Sequence, residues 1–255
     1  MKIVISPAKS LNFEQNIPTT TYSNIIFEKE SQQLIERLKN ISKEELAKLM
    51  KLSPKLVDLN YERYRNWQLP FTPNNAKQAG FVFTGEVYKG LDLLSLSAKE
   101  IDKAQESLRI LSGLYGVLRP LDLIQPYRLE MGTRLQVDDN TKNLYQFWGN
   151  KLTNFLNQEL LEDDGILVNL ASNEYFKALQ PKQIKGEIIT CNFKDFKNGT
   201  YKIIMMYAKN ARGKMSRFII ENELKNKEDL MAFDADGYAF NPRLSTENEY
   251  LFTRG

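Results

Sequence analysis

Gly113 and Gly116 stand three residues apart in the stretch 108–132, with Arg119 and Arg128 in the same stretch and Arg134 just beyond it. Glycine reaches left-handed backbone angles at little cost and leaves its amide uncovered. A glycine turn that leads into a short helix therefore offers N–H donors and a positive dipole end to an anion such as a phosphate. The arginines would add side-chain cations, and Tyr115 would ride at the tip of the turn. The same spacing also describes a plain helix cap followed by arginines that face water.

A second basic run covers residues 200–218, where Lys202, Lys209, Arg212, Lys214 and Arg217 occur with no acidic residue among them. Residues 208–213 (AKNARG) read as a strand-to-helix junction, which joins cations to the favourable end of a helix dipole and suits a phosphate or another polyanion. The alternative is a solvated basic edge that protects a sheet from aggregation. If the two clusters converge, they form a cleft of one sign that concentrates an anionic ligand. Lys9, in SPAKS directly after the first apolar run, is a third cation. It suits a point-charge contact to phosphate. Desolvated beside other cations, it would instead serve as an amine nucleophile, with Glu130 or Glu174 assisting as acid or base.

These residues need elements to position them. Ile3, Val4 and Ile5 predict a short buried strand that Pro7 ends. Residues 28–67 predict three helices, over 31–40, 42–51 and 53–67, with a capping box at Ser42 and Glu45 and with Pro54 at the first position of the third. Ser97 and Glu100 form another capping box, and Ile101, Ala104, Leu108 and Leu111 carry helical spacing to residue 111, where Gly113 stops it. A second short helix is expected over 118–124. Residues 81–83 predict a strand and 144–161 one amphipathic helix. Residues 166–170, 187–193 and 201–207 predict strands, the last two joined by Asn198-Gly199, a strong hairpin signal. Helix is expected again over 215–224 and strand over 250–252. No repeat or low-complexity linker divides the chain, so it is read as one α+β domain over residues 1–255, a mixed sheet flanked by helices.

Composition narrows the chemistry. The chain has 255 residues, 42% of them apolar and 26% charged, with a net charge of +3 that by itself does not mark a nucleic-acid binder. It has no histidine and one cysteine, Cys191. That removes His-dependent triads, Cys–His nucleophiles, His-ligated metals and thiolate-ligated clusters, and it excludes an intramolecular disulfide. Cys191 lies in an apolar run and reads as a buried structural thiol. The start of the chain lacks the core of a secretory signal, and no run approaches the ~20 apolar residues of a membrane span. A cytoplasmic protein is expected, with no cofactor, membrane association or obligate protein partner.

Seven segments, ISPAKSL (5–11), FTPNNAKQA (71–79), FTGEVYKGL (83–91), LSGLYGVLRPLDLIQPYRLEMG (111–132), LYQFWG (144–149), VNLASNEYFK (168–177) and AKNARGKMSRFIIEN (208–222), together resemble the YaaA family of bacterial peroxide-stress proteins. The resemblance spans nearly the whole chain. It implies a compact α+β domain, a positively charged cleft, and binding of double-stranded or structured DNA in connection with oxidative damage. It also implies a helix–hairpin–helix element, placed on residues 97–124. That element would be a variant, because Gly113 and Gly116 enclose two residues where a single apolar one is usual. Three functions compete. The first is sequence-independent binding of the DNA backbone by Gly113, Gly116, Arg119, Arg128 and Arg134 with the 209–217 cluster. The second is a glycosylase or lyase with Lys9 as nucleophile and Tyr115 as the base-extruding wedge. The third is sequestration of iron, which a chain without histidine serves poorly.

Overall fold

Reciprocal capping boxes start two of the α-helices. In the computed structural model, which describes residues 1–255, Ser42 and Glu45 cap α2 (Lys43–Met50) reciprocally, and Ser97 and Glu100 do the same for α6 (Ala98–Ser107). Strand β1 (Lys2–Ile5) opens the chain, and α1 (Glu28–Lys39), α2 and α3 (Pro54–Asn66) form the expected run of three helices. Short elements follow: β2 (Lys77–Gln78), α4 (Ala79–Val82) and α5 (Glu86–Leu91). After α6 come β3 (Leu108–Ser112), β4 (Gly116–Leu118) and β5 (Leu123–Ile124). Helices α7 (Leu144–Trp148) and α8 (Lys151–Leu161) lead into β6 (Ile166–Leu170) and α9 (Asn173–Phe176). The chain ends with the hairpin β7 (Glu187–Lys197) and β8 (Thr200–Lys202), helix α10 (Met205–Glu221), and strands β9 (Ala239–Phe240) and β10 (Glu249–Arg254).

Eight strands form one mixed sheet in the order β4-β3-β1-β6-β7-β10-β9, with β8 pairing β7, while β2 and β5 pair separately. Its five central strands, β3, β1, β6, β7 and β10, are parallel to one another. In chain order these five run 2-1-3-4-5 across the sheet. Strands added on opposite sides of the first strand leave a crevice beyond their carboxyl ends, the usual ligand position in open α/β sheets. The α+β mixed sheet flanked by helices is the expected class.

The expected helix–hairpin–helix is not what residues 97–124 form. The first helix ends at Ser107, and the following residues become β3 and β4 around a three-residue loop, 113–115, with Ser112 opposite Gly116. Leu108 and Leu111 carry helical spacing, but Ile3–Ile5 offer residues 108–110 a parallel ladder, and β3 becomes wholly buried. Arg109 seals the boundary. Its guanidinium donates to the carbonyls of Gln105 (3.0 Å), Glu106 (3.0 Å) and Leu108 (2.8 Å), the exposed end of α6, and is held by Glu159 at 2.7 and 2.5 Å. The expected helix over 118–124 is likewise absent; Leu118 ends β4 and Leu123–Ile124 is β5.

Three further expectations give way to tertiary packing. Residues 81–83 end the short helix α4, with only Phe83 bridging to Leu11. The helix expected over 144–161 breaks in two at Gly149, whose φ of +47° lies in the left-handed region. The strand expected over 201–207 stops at Lys202, and helix begins at Met205, because Ala208, Ala211, Met215 and Ile219 make one buried stripe at helical spacing. AKNARG therefore lies within α10, not at a strand-to-helix junction. Cys191 is buried in β7 as expected.

The crossing of α10 with α5 fixes where Lys209 and Arg212 lie. A Cβ on Gly213 would fall 1.9 Å from the Val87 carbonyl oxygen, and one on Gly90 would fall 2.1 Å from that of Asn210. The two glycines let the backbones touch. Gly213→Ala forces the helices apart at a cost of about 1–3 kcal/mol, or roughly 2–12 °C in Tm for a chain of this size. Differential scanning calorimetry reads the shift directly; an unchanged Tm would mean that the two backbones do not meet there.

Candidate functional site

A cleft of about 580 Å³ opens beyond the carboxyl ends of β1 and β6, at the point where the strand order reverses. Four chain segments line it: Ser6–Ser10 after β1, residues 85–88 at the start of α5, residues 127–130, and residues 170–175 after β6. Helix α10 closes it with Met205, Lys209 and Arg212, which share one stripe at spacings of four and three.

The loops are tied to one another at the sheet edge. The Ser172 amide donates to Ser6 Oγ at 2.8 Å, and the Ser6 hydroxyl donates to Ser172 Oγ at 3.2 Å. The Tyr88 hydroxyl donates to the Ser6 carbonyl at 3.1 Å. Residues 127–132 are pressed against the β3–β4 loop, where a Cβ on Gly113 would lie 2.2 Å from the Leu129 carbonyl oxygen. The Tyr64 hydroxyl donates to the Arg128 carbonyl from below. Tyr88, Tyr127 and Tyr175 line the cleft, and burial pushes all three phenols well above the usual tyrosine range. They are neutral hydroxyls at physiological pH, able to donate hydrogen bonds but not to act as bases.

The charges divide into two groups. On one wall, Glu130 Oε1 lies 2.9 Å from the Arg128 guanidinium and 3.4 Å from Lys9 Nζ, so one carboxylate faces two cations. Lys9 is 70% exposed and Glu130 19%. Glu174 accepts the Gly132 amide at 2.9 Å, and Glu86 pairs with Lys89 at 2.7 Å, so neither neutralises a cation of the cleft. On the opposite wall, Lys209 is exposed and Arg212 half-buried, and neither forms an ion pair. Arg212 Nε is the one buried side-chain nitrogen or oxygen in the chain without a hydrogen-bond partner. Burial lowers the guanidinium from the ordinary arginine range, as expected of a cation with no anion beside it. A buried donor left unmade costs about 1–3 kcal/mol. That nitrogen retains a hydrogen bond to give to an acceptor from outside the chain.

The cleft thus gathers Lys9, Arg128, Glu130, Glu174, Lys209 and Arg212 from separate parts of the sequence. The other expected contacts lie elsewhere. Gly113 and Gly116 are packed in the hairpin; the Gly113 carbonyl accepts Trp148 Nε1 at 3.1 Å, and a Cβ on Gly116 would strike Trp148 and Leu152 at 2.8 Å. Neither glycine offers an amide to an outside anion. Tyr115 is fully buried, its hydroxyl accepting Trp67 Nε1 and donating to the Gln125 carbonyl, both at 3.1 Å, so it is no wedge. Arg119 is bound 2.9 Å from the buried carboxylate of Asp122, away from the cleft. On another face of α10, Lys214 pairs with Asp236 and Arg217 with Glu221. Arg134 is exposed outside the cleft. Sequence reasoning missed Ser6, Ser172 and the three tyrosines. Their one local signal is position, directly after strands β1 and β6 for the serines.

Comparison with known proteins adds the family. The family model described as peroxide stress protein YaaA matches residues 1–244. The chain is similar along its full length to proteins named UPF0246 from several bacteria. That of Aliivibrio fischeri (strain ATCC 700601 / ES114) is 52% identical over 255 residues, covering 100% of this chain and 98% of the relative. Those of Acaryochloris marina and Flavobacterium johnsoniae are 51% and 50% identical over 254 residues, covering 100% of each chain.

Cys191 lies behind Arg212, and burial pushes its thiol up to about 12. The thiolate is the form that alkylating agents and peroxide attack. Native protein is therefore expected to resist iodoacetamide at pH 8 while urea-unfolded protein is labelled to one equivalent, as mass spectrometry can count. Rapid labelling of the folded chain would show the thiol to be accessible and ionised.

Proposed function

The chain belongs to the peroxide stress protein YaaA family, and from that membership in the peroxide response we propose that it binds DNA, double-stranded or structured, by holding backbone phosphates in the cleft. The single observation that carries this reading is the unpartnered guanidinium of Arg212 beside Lys209. Both sit on the cleft stripe of α10 and neither is matched by an acid, so a phosphate supplies the acceptors that the fold withholds. Arg128 and Lys9, on the facing wall, provide a second and weaker contact because Glu130 already engages them. Such contacts fix a strand in place without reading its bases.

Lys9 and Glu130, 3.4 Å apart in the same cleft, favour a second reading as a lyase. The amine would add to C1′ of an abasic sugar aldehyde, water would leave, and an imine would join protein and DNA. The surroundings of Lys9 are less suited to this. Burial and neighbouring cations free a lysine amine of its proton, whereas Lys9 is mostly exposed and faces a carboxylate.

Backbone binding predicts a log–log dependence of affinity on salt with a slope of about −0.9 per phosphate neutralised. Arg212→Ala and Lys209→Ala are each expected to weaken duplex binding at every sequence and to reduce the slope by about 1. Fluorescence anisotropy over a salt series reads both, and a slope near zero would end the proposal. Glu130→Gln separates the two readings. It releases Arg128 and Lys9, so simple binding tightens several-fold, whereas a lyase loses the imine that borohydride traps on an abasic probe.

A further inference from the structure

The seven methionines of the chain divide sharply by exposure. Met1, Met131 and Met215 are buried and Met50 is half-buried, as suits an apolar side chain, while Met231 is 36% exposed. Met205 and Met206 stand apart at 60% and 54%. They are consecutive, and they are the first two residues of α10. With Phe196, Tyr201, Ile203 and Tyr207 they make an exposed apolar arm out of the β7–β8 hairpin and the first turn of α10. Met205 also lines the cleft.

Position gives the two thioethers a neighbour of consequence. Lys209, the exposed cation of the α10 wall, follows Met205 by four residues and Met206 by three, the spacings at which helix side chains meet. Helical side chains lean toward the N-terminus, so that of Lys209 leans back over the turn that holds both sulfurs. The first helical bond of α10 runs from the Ala208 amide to the Ile204 carbonyl at 2.9 Å, and Ile204 has no side-chain acceptor. The amides of residues 205–207 lie ahead of that bond, so the positive end of the helix dipole falls on the same turn. A thioether is a weak acceptor and uses little of this. A sulfoxide oxygen, which carries partial negative charge, uses all of it. The chain's one thiol is no competitor for an oxidant, because Cys191 is buried and its thiol is pushed up to about 12.

We propose that Met205 and Met206 are a modification site for hydrogen peroxide, and that the sulfoxide formed there engages Lys209 and loosens the hold of the α10 wall on anions. A sulfur lone pair attacks one peroxide oxygen and the O–O bond breaks. The second oxygen leaves as hydroxide, takes the proton of the sulfur-bound oxygen and becomes water. Sulfur is thereby oxidised by two electrons and the peroxide reduced by two. The family's place in the peroxide response supplies the oxidant. The new oxygen accepts from the Lys209 ammonium and competes for it with a bound phosphate. This consequence rests on the phosphate-binding reading of the cleft, whereas the modification itself does not.

Graded hydrogen peroxide followed by peptide mapping reads the site. Tandem mass spectrometry is expected to find sulfoxide at Met205 and Met206 at a rate at least about threefold above that at Met231, with the inner methionines untouched. A thioether has no proton to lose, so the rate is expected to be equal at pH 6 and pH 8. Both side chains are exposed, so the thermal melt of the oxidised protein is expected to be unchanged. Fluorescence anisotropy on a DNA duplex reads the consequence: oxidation is expected to weaken wild-type binding about fivefold, the worth of one hydrogen bond. Methionine sulfoxide reductases of both epimer specificities, supplied with a dithiol, are expected to restore it. Peroxide is expected to change the affinity of neither the double variant Met205→Leu, Met206→Leu, which has no thioether there, nor Lys209→Ala, which has no cation to engage. Sulfoxide at Met231 or at a buried methionine as early as at this pair overturns the site. A wild-type affinity that oxidation leaves unchanged, or that falls equally in Lys209→Ala, overturns the coupling to Lys209. Failure of the untreated protein to bind the duplex overturns the cleft reading and that coupling together, while the peptide map still decides the site.

Discussion

The parallel register of β1 between β3 and β6 is the constraint on which the cleft depends. Ile5 lies opposite both Ile110 and Leu170, so β1 and β6 end at one level of the sheet and β3 runs only two residues beyond it. Their continuations must leave together: Ser6–Ser10 from β1, the 113–115 turn from β3, and residues 171–175 from β6. Strands of a parallel sheet all present their carboxyl ends on one edge, and here the order reverses beside β1. The reversal leaves an opening that helices cannot cover, and Ser6 and Ser172 line it. Gly113 then decides the height of the far wall. Without a side chain, it lets residues 127–132 cross the end of β3 in van der Waals contact, which brings Arg128 and Glu130 over to Lys9.

Within that frame, the electrostatics are uneven by arrangement rather than by net charge. Four cations and three carboxylates line the cleft, yet Glu130 serves two cations, while Glu86 and Glu174 are engaged outside them. The asymmetry leaves α10 as the wall with unspent hydrogen-bonding capacity. Gly213 and Gly90 matter for the same reason as Gly113. They let α10 approach α5 closely enough that the stripe of Met205, Lys209 and Arg212 meets the sheet edge instead of passing over it. The opposite face of the same helix carries Lys214 and Arg217, whose pairing with Asp236 and Glu221 makes them structural. Four cations that look alike in sequence are thus sorted by helical phase, Lys209 and Arg212 toward the cleft and Lys214 and Arg217 into ion pairs.

Local signals were legible where the deciding forces are local. Capping boxes fixed α2 and α6, the contiguous Ile3, Val4 and Ile5 marked β1, and Asn198-Gly199 marked the β7–β8 hairpin. The site residues Lys9, Arg128, Glu130, Glu174, Lys209 and Arg212 were legible as chemistry, but not as neighbours. What sequence spacing concealed was long-range competition. Leu108 and Leu111 fit a helix started by Ser97 equally well as a strand paired with β1, and only the proximity of β1, more than a hundred residues away in the chain, decides between them. Gly113, Gly116 and Tyr115 were misread for the same reason. Glycines that fit beneath Trp148 and against Leu129 look, in one dimension, like glycines that expose amides to a ligand.

The unpaired state of Arg212 and the exposed arm beside it belong to one physical account. A protein that merely needs to be stable would set an acid near a half-buried guanidinium and polar residues at a hairpin tip, since both exchanges remove an unfavourable contact with solvent or with nothing. This chain does the reverse in the β7–β8 hairpin and in the helix that follows it, while at Arg109, Arg119 and Arg128 it supplies partners within 3 Å. Local rules are kept across the core and broken along the stripe that starts at Met205. A ligand that brings acidic oxygens to Arg212 and apolar faces to the arm relieves both violations at once, and the free energy withheld from folding reappears as affinity. Binding of that ligand must then also raise the stability of the folded chain in proportion to its occupancy.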